Sequence, residues 1–128
     1  MLRYIVVVFF ASLYFTPVRT QPKYEVRAAW IATIYGLDWP ANKALTPTDT
    51  HRQKAELTNM LDKLKTANFN TVLLQTRIRG TVIYPSDYEP ISSVFTGRAN
   101  GYPGYDPLAF AIEECHKRGM ECHAWECR

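Results

Sequence analysis

The sequence predicts an α/β fold built on parallel strands, and three observations lead there. Segments of strand length and apolar character recur at Glu25 to Thr33, Thr71 to Arg77 and Met120 to Trp125. Two amphipathic helix patterns, each begun by a capping residue and a proline, separate them. The middle segment, Asn68 to Gly80, is apolar until its carboxyl end and then alternates polar side chains, as strands do where a parallel α/β sheet meets its ligand.

The amino terminus comes before the fold. Met1-Leu2-Arg3 carries one positive charge, Tyr4 to Phe15 is almost wholly apolar, and Thr16 to Thr20 is polar with a proline. This is the order of a secretory signal. An apolar run of about 12 residues is short for a membrane span, which needs roughly 20, so residues 1–20 read as a signal peptide cut after Thr20, with an uncleaved anchor or a buried strand as the alternative. No cysteine follows the run to carry a lipid. The chain is expected to be exported, periplasmic or extracellular, with no stable span after cleavage, and residues 21–128 to form one small domain.

A formal charge of +3 with scattered Lys and Arg argues against a nucleic-acid surface. The three cysteines, Cys115, Cys122 and Cys127, lack zinc-type spacing and read as thiols, the first two buried. Neither metal nor cofactor is signalled.

Glu25 to Thr33 is the first strand, its small residues allowing close packing. Ile34 to Pro47, rich in Gly, Asp, Asn and Pro, is a loop containing Asp38-Trp39-Pro40. Trp39 has two readings, a plug over a core or a flat apolar face for a sugar ring. Thr46 caps a helix that starts at Pro47, has Asp49 in its first turn and is closed by Asn68. Leu57, Met60, Leu61, Leu64 and Ala67 make its buried stripe, and His51 falls outside it.

In the middle strand Leu73, Gln75, Arg77 and Arg79 share one face, and Val72, Leu74 and Thr76 the other. Strand, helix, strand implies parallel pairing. Gly80 to Tyr105 is about five times as long as a typical βα loop of roughly 2 to 6 residues. Its Tyr84, Tyr88, Phe95, Tyr102 and Tyr105 give it enough aromatic surface to order. Gln75, two arginines and tyrosines gathered at a strand's end suit a polyhydroxylated or anionic ligand, unless Arg77 is paired with an internal carboxylate.

Asp106-Pro107 opens the second helix and Gly119 ends it. Leu108, Ala111, Ile112 and Cys115 are its buried stripe, while Glu113, Glu114, Lys117 and Arg118 face water. On the third strand Glu121, His123 and Trp125 share a face. His123 suits acid–base work, metal ligation, ligand contact or a hydrogen-bonded core, and without a visible partner the non-catalytic roles are preferred.

Taken together, Arg27-Ala-Ala-Trp30-Ile-Ala-Thr33, Leu37-Asp38-Trp39-Pro40, Asn68-Phe69-Asn70, Gln75-Thr-Arg77, Tyr84-Pro85-Ser86, Glu89-Pro90, Tyr105-Asp106-Pro107-Leu108, His116-Lys-Arg-Gly119 and His123-Ala-Trp125 resemble the amino-terminal part of the glycosyl hydrolase-like 10 family. The likeness runs from about Lys23 to Trp125. It departs at Glu126-Cys127-Arg128, where the family continues with Asn-Pro-Tyr or Asn-Pro-Phe and then Arg, at Ile91, where tryptophan is common, and at Thr81, where an acidic residue is common.

The resemblance implies an exported bacterial (β/α)8 TIM barrel acting on glycans, with cell-wall glycan strands as a substrate class. This chain would be its first three strands and two helices, contributing Asp38, Trp39, Gln75, Arg77, Tyr84, His123 and Trp125 to substrate binding. Glycoside hydrolysis needs two carboxylates across the scissile bond. In related barrels these come from later strands, so no catalytic residue is assigned and the piece is expected to be inactive alone. A non-catalytic carbohydrate-binding module and a nonfunctional remnant are the alternatives, and open first and third strands predict self-association.

Overall fold

Helix starts are set within a few residues of chain. The computed structural model describes residues 24–127, so the expected signal peptide lies outside the described residues. At Thr46 the hydroxyl accepts from Asp49 N at 3.2 Å, and Asp49 Oδ2 accepts from Thr46 N at 3.1 Å. This reciprocal box satisfies donors that the first helical turn leaves open. Helix α1 runs Pro47–Thr66, and Asn68 leaves it at a φ of 63°. Helix α2, Pro107–Lys117, begins the same way, with Asp106 Oδ1 accepting from Leu108 N and Ala109 N, both at 3.0 Å.

The strands are β1 (Ala28–Ile31), β2 (Thr71–Ile78), β3 (Thr81–Val82) and β4 (Glu121–Glu126). Strand β2 is central: β1 pairs with it in parallel on one side and β4 in parallel on the other. The order therefore follows the sequence, β1-β2-β4, with α1 and α2 as crossovers, and β1 and β4 are edges among the described residues. Strand β3 was not foreseen; it folds back antiparallel on the end of β2, pairing Arg77 with Val82. The first strand is shorter than Glu25 to Thr33, because pairing with β2 spans only Ala28 to Ile31.

Register aligns the sheet in rows, and each row shares a face. Ile31 with Leu74, and Val72 with Cys122, point to the helices, where Leu57 and Leu61 of α1, Ala111 and Cys115 of α2, and Met120 close the core. Trp30, Leu73 and His123 form one row of the opposite face, and Gln75 with Trp125 another. That face has no covering layer among the described residues, and Trp30 is 60% exposed.

Two expectations about the helices change. Ala67 is exposed, and the stripe of α1 instead begins a turn earlier with Gln53, which is 0% exposed. Glu114 and Arg118 do not simply face water. Arg118 Nη1 meets Glu114 Oε2 at 2.7 Å in a largely buried i to i+4 pair, while its Nε reaches the exposed Asp62 on α1, also at 2.7 Å, and so ties one helix to the other.

The long loop is ordered, as its aromatic content implies. Ser92 N donates to Val82 O and Val82 N to Pro90 O, while Ala44 N donates to Phe95 O, joining it to the loop after β1. Phe95 and Tyr105 enter the core, whereas Tyr88 and Tyr102 stay exposed.

Candidate functional site

The carboxyl ends of β1, β2 and β4 all point the same way, because the three strands are parallel neighbours. Gln75, near the end of β2, organises them. Its Oε1 accepts from Thr33 N at 3.0 Å and Ile34 N at 2.8 Å, and its main-chain oxygen accepts from Thr33 Oγ1 at 3.0 Å. A side chain 1% exposed, with its oxygen already engaged, fastens the turn after β1 to β2. Its Nε2 points to Cys127 Sγ, 4.0 Å away beyond β4. Gln75 thus positions the mouth and offers little of itself to a ligand.

Arg77 is paired internally. Its Nε and Nη2 donate to Glu89 Oε2 and Oε1 at 2.6 and 2.5 Å, a bidentate fork across the long loop. That hydrogen bond, reinforced by charge, pushes the guanidinium up and holds the Glu89 carboxyl below the usual carboxylate range. Glu89 was not among the expected site residues, and its position 12 residues beyond Arg77 gave no local signal. Tyr84, half-buried, packs on the edge of the core on the same loop.

Trp39 is a plug. It is 0% exposed, meets Phe95 edge-to-face at 5.1 Å and donates from Nε1 to Gln53 O at 2.9 Å. The stacking role expected for it therefore has no exposed ring face to act through. Asp38 beside it is exposed, with Oδ2 accepting from Ala32 N at 2.7 Å, so one of its oxygens closes the turn.

On the uncovered face Trp125 meets Trp30 edge-to-face, centroids 4.6 Å apart. Trp30 was not named as a site residue; its signal was alternation along β1, which puts it in the row of His123. His123 is exposed and its Nε2 lies 2.8 Å from Glu121 Oε2. Glu121 is aligned with Thr71 and Ala28, the first residues of their strands, and so sits at the end of the sheet opposite the mouth. The structure thus gathers Asp38, Gln75, Arg77 and Trp125 at the carboxyl ends, sets His123 half a strand below, and withdraws Trp39 into the core.

Among the described residues no three His, Cys, Asp or Glu side chains converge as a metal site. Cys115 on α2 and Cys122 on β4 are free thiols, and the neighbouring Cys122 together with burial pushes the Cys115 thiol up. A concavity of about 430 Å³ lies at the start of α1 among Leu45, His51, Lys54 and Tyr102. It shares no residue with the mouth, and Lys54 there is turned over the Tyr105 ring at 4.6 Å.

The sequence pattern of the glycosyl hydrolase-like 10 family matches residues 25–127. Glycosyl hydrolase YngK of Bacillus subtilis (strain 168) is 45% identical over 101 residues, which are 79% of this chain and 19% of that protein. Glycosyl hydrolase DigH of Escherichia coli (strain K12) is 40% identical over 114 residues, 85% of this chain and 26% of that protein. The chain therefore spans about a fifth to a quarter of the length of these relatives.

Proposed function

Since the chain belongs to the glycosyl hydrolase-like 10 family, we propose that it is the opening part of an exported (β/α)8 barrel whose strand ends bind glycan, with cell-wall glycan strands as the substrate class. The observation that carries this reading is the order β1-β2-β4, parallel and sequential, with Asp38, Gln75, Arg77 and Trp125 at the carboxyl ends, where barrel enzymes place their sites. The Trp125 ring gives an apolar surface for a pyranose, and the His123 ring nitrogen not held by Glu121 and the free oxygen of Asp38 are available for its hydroxyls.

Cleavage requires a proton donor and a second carboxylate about 5 to 9.5 Å away. Glu89, Asp38 and Glu121 are otherwise engaged or misplaced, and Glu126 at the exposed end of β4 is one carboxylate where two are needed. Glu89 is tied to Arg77 and kept ionised, which makes it a poor acid. Asp38 holds a main-chain N–H, and Glu121 sits at the opposite end of the sheet. The acid and the nucleophile or base are therefore assigned to strands beyond these residues, and the chain by itself binds without turning over. A second reading, a non-catalytic module in which two copies cover each other's bare faces, is favoured by the exposed Trp30.

The test is to incubate the purified chain with cell-wall glycan strands, measuring co-sedimentation and new reducing ends. Retention without new reducing ends is expected. Reducing ends released by this chain alone overturn the assignment of catalysis elsewhere, and failure to be retained overturns the binding role.

A further inference from the structure

Two side chains at the mouth form a pair that the reading above does not use. Tyr35 lies in the turn that Gln75 clamps to β2, one residue after Ile34, and Arg79 lies four residues beyond Gln75 in the hairpin that joins β2 to β3. Arg79 Nη1 donates to the Tyr35 hydroxyl, and its guanidinium carbon lies 5.8 Å from the ring centroid. Both are exposed, Tyr35 by 76%.

Charge separates Arg79 from its neighbour. Arg77 is neutralised by the Glu89 fork, whereas among the described residues no carboxylate lies within ion-pair reach of Arg79. Tyr35 also lines an open hollow of about 280 Å³ together with Lys43, Ser93 and Val94. Lys43 likewise has no carboxylate partner among the described residues. Tyr35 thus touches one cation, Arg79, through its hydroxyl and ring, and shares the lining of the hollow with a second, Lys43, neither of them neutralised by a carboxylate of the described residues.

The backbone adds an independent observation. Arg79 and Gly80 are the central residues of a two-residue hairpin, with φ of 53° and 71°. Such turns take Asn, Asp or Gly at the first position because other side chains resist positive φ. Tyr35 is held at a φ of 56°. Both positions therefore carry large side chains where the backbone would favour small ones.

We propose that Tyr35, Arg79 and Lys43 form a subsite for a carboxylated pyranose of the bound glycan. The sugar lies on the Tyr35 ring, Arg79 beside that ring takes the carboxylate through its planar donors, and Lys43 adds positive potential from the hollow that Tyr35 also lines. This rests on the glycan-binding reading.

The experiment compares calorimetric binding of a uronic-acid tetramer with that of its carboxyl-reduced neutral counterpart, for the wild-type chain and for Arg79→Gln, Arg79→Gly and Tyr35→Ala. The wild type is expected to prefer the acidic tetramer by about tenfold, the scale of one charge-assisted hydrogen bond. Arg79→Gln removes the preference and leaves the neutral affinity unchanged, while Tyr35→Ala weakens both. Arg79→Gly suits the hairpin, so it raises the melting midpoint and still removes the preference, which a structural role for the arginine does not predict. Equal binding of the two tetramers by the wild type, or a preference that survives in both Arg79 variants, overturns the subsite alone. If neither tetramer binds while cell-wall glycan is retained, the subsite falls alone; if cell-wall glycan is not retained either, the glycan reading falls and the subsite with it.

Discussion

Gln53 is the point where three separate stretches of chain meet, and replacing it gives the sharpest test of how the loops are held. Its Nε2 donates to Asn42 O at 2.7 Å and Phe95 O at 3.1 Å, and its Oε1 accepts from the Tyr105 hydroxyl at 2.7 Å. Gln53→Met keeps roughly the same shape and deletes these bonds. The losses are unequal. Asn42 is exposed, so its oxygen turns to water at little cost, and Phe95 O keeps its bond from Ala44 N at 2.7 Å. The Tyr105 hydroxyl is buried and left without a partner, a penalty of about 1 to 3 kcal/mol, so the total expected is about 2 to 3 kcal/mol. Urea unfolding measures it. The same argument fixes a sign: Tyr105→Phe destabilises the wild type by about 1 kcal/mol, because it orphans Gln53 Oε1, yet stabilises the Gln53→Met background, where the hydroxyl is already orphaned. A Tyr105→Phe effect of the same sign in both backgrounds refutes the network.

The Arg77 to Glu89 fork should make the long loop acid-sensitive. The Glu89 carboxyl is depressed by its hydrogen bond to Arg77, so the pairing is full above the unfolded carboxylate value of about 4.3 and is lost as pH falls through the lower folded value. Proteolytic nicking near the exposed Tyr88 is expected to rise in that acid window in the wild type and to be high at every pH in Glu89→Gln; a pH-independent wild type contradicts the fork. Trp30→Ser should shift the sedimentation profile toward monomer if the bare sheet face drives self-association, and an unchanged oligomer places the contact elsewhere. Amino-terminal sequencing of exported material is expected to begin at Gln21, and a chain that keeps Met1 sinks the signal-peptide reading.

What the sequence revealed follows how far each interaction reaches. Both helix starts were legible because Thr46, Pro47 and Asp49, and likewise Asp106 and Pro107, make their caps within three residues. The three parallel strands were legible because apolar runs and crossover length are local patterns. Trp39 was left between two roles because its partners, Gln53 and Phe95, lie on other segments, and only the assembled core decides between a plug and a platform. Gln53 escaped a stripe counted in apolar residues, since burial of an amide depends on acceptors supplied by two loops. The same distance hid Glu89 from Arg77 and Asp62 from Arg118. Strand β3 was merged into the long loop because a two-residue turn beginning with arginine lacks the usual Asn-Gly signature.

The sequential strand order bears on when this unit takes shape. Strand β2 needs only α1 to be delivered to β1, and β4 needs only the long loop and α2 to reach β2, so among the described strands no parallel pairing waits for a distant one. Closing short loops first costs less entropy and is faster than assembling distant partners. A chain emerging amino end first can therefore lay down each strand against the one already in place. The helix side gathers its core as it goes, and the opposite, tryptophan-bearing face stays open among the described residues.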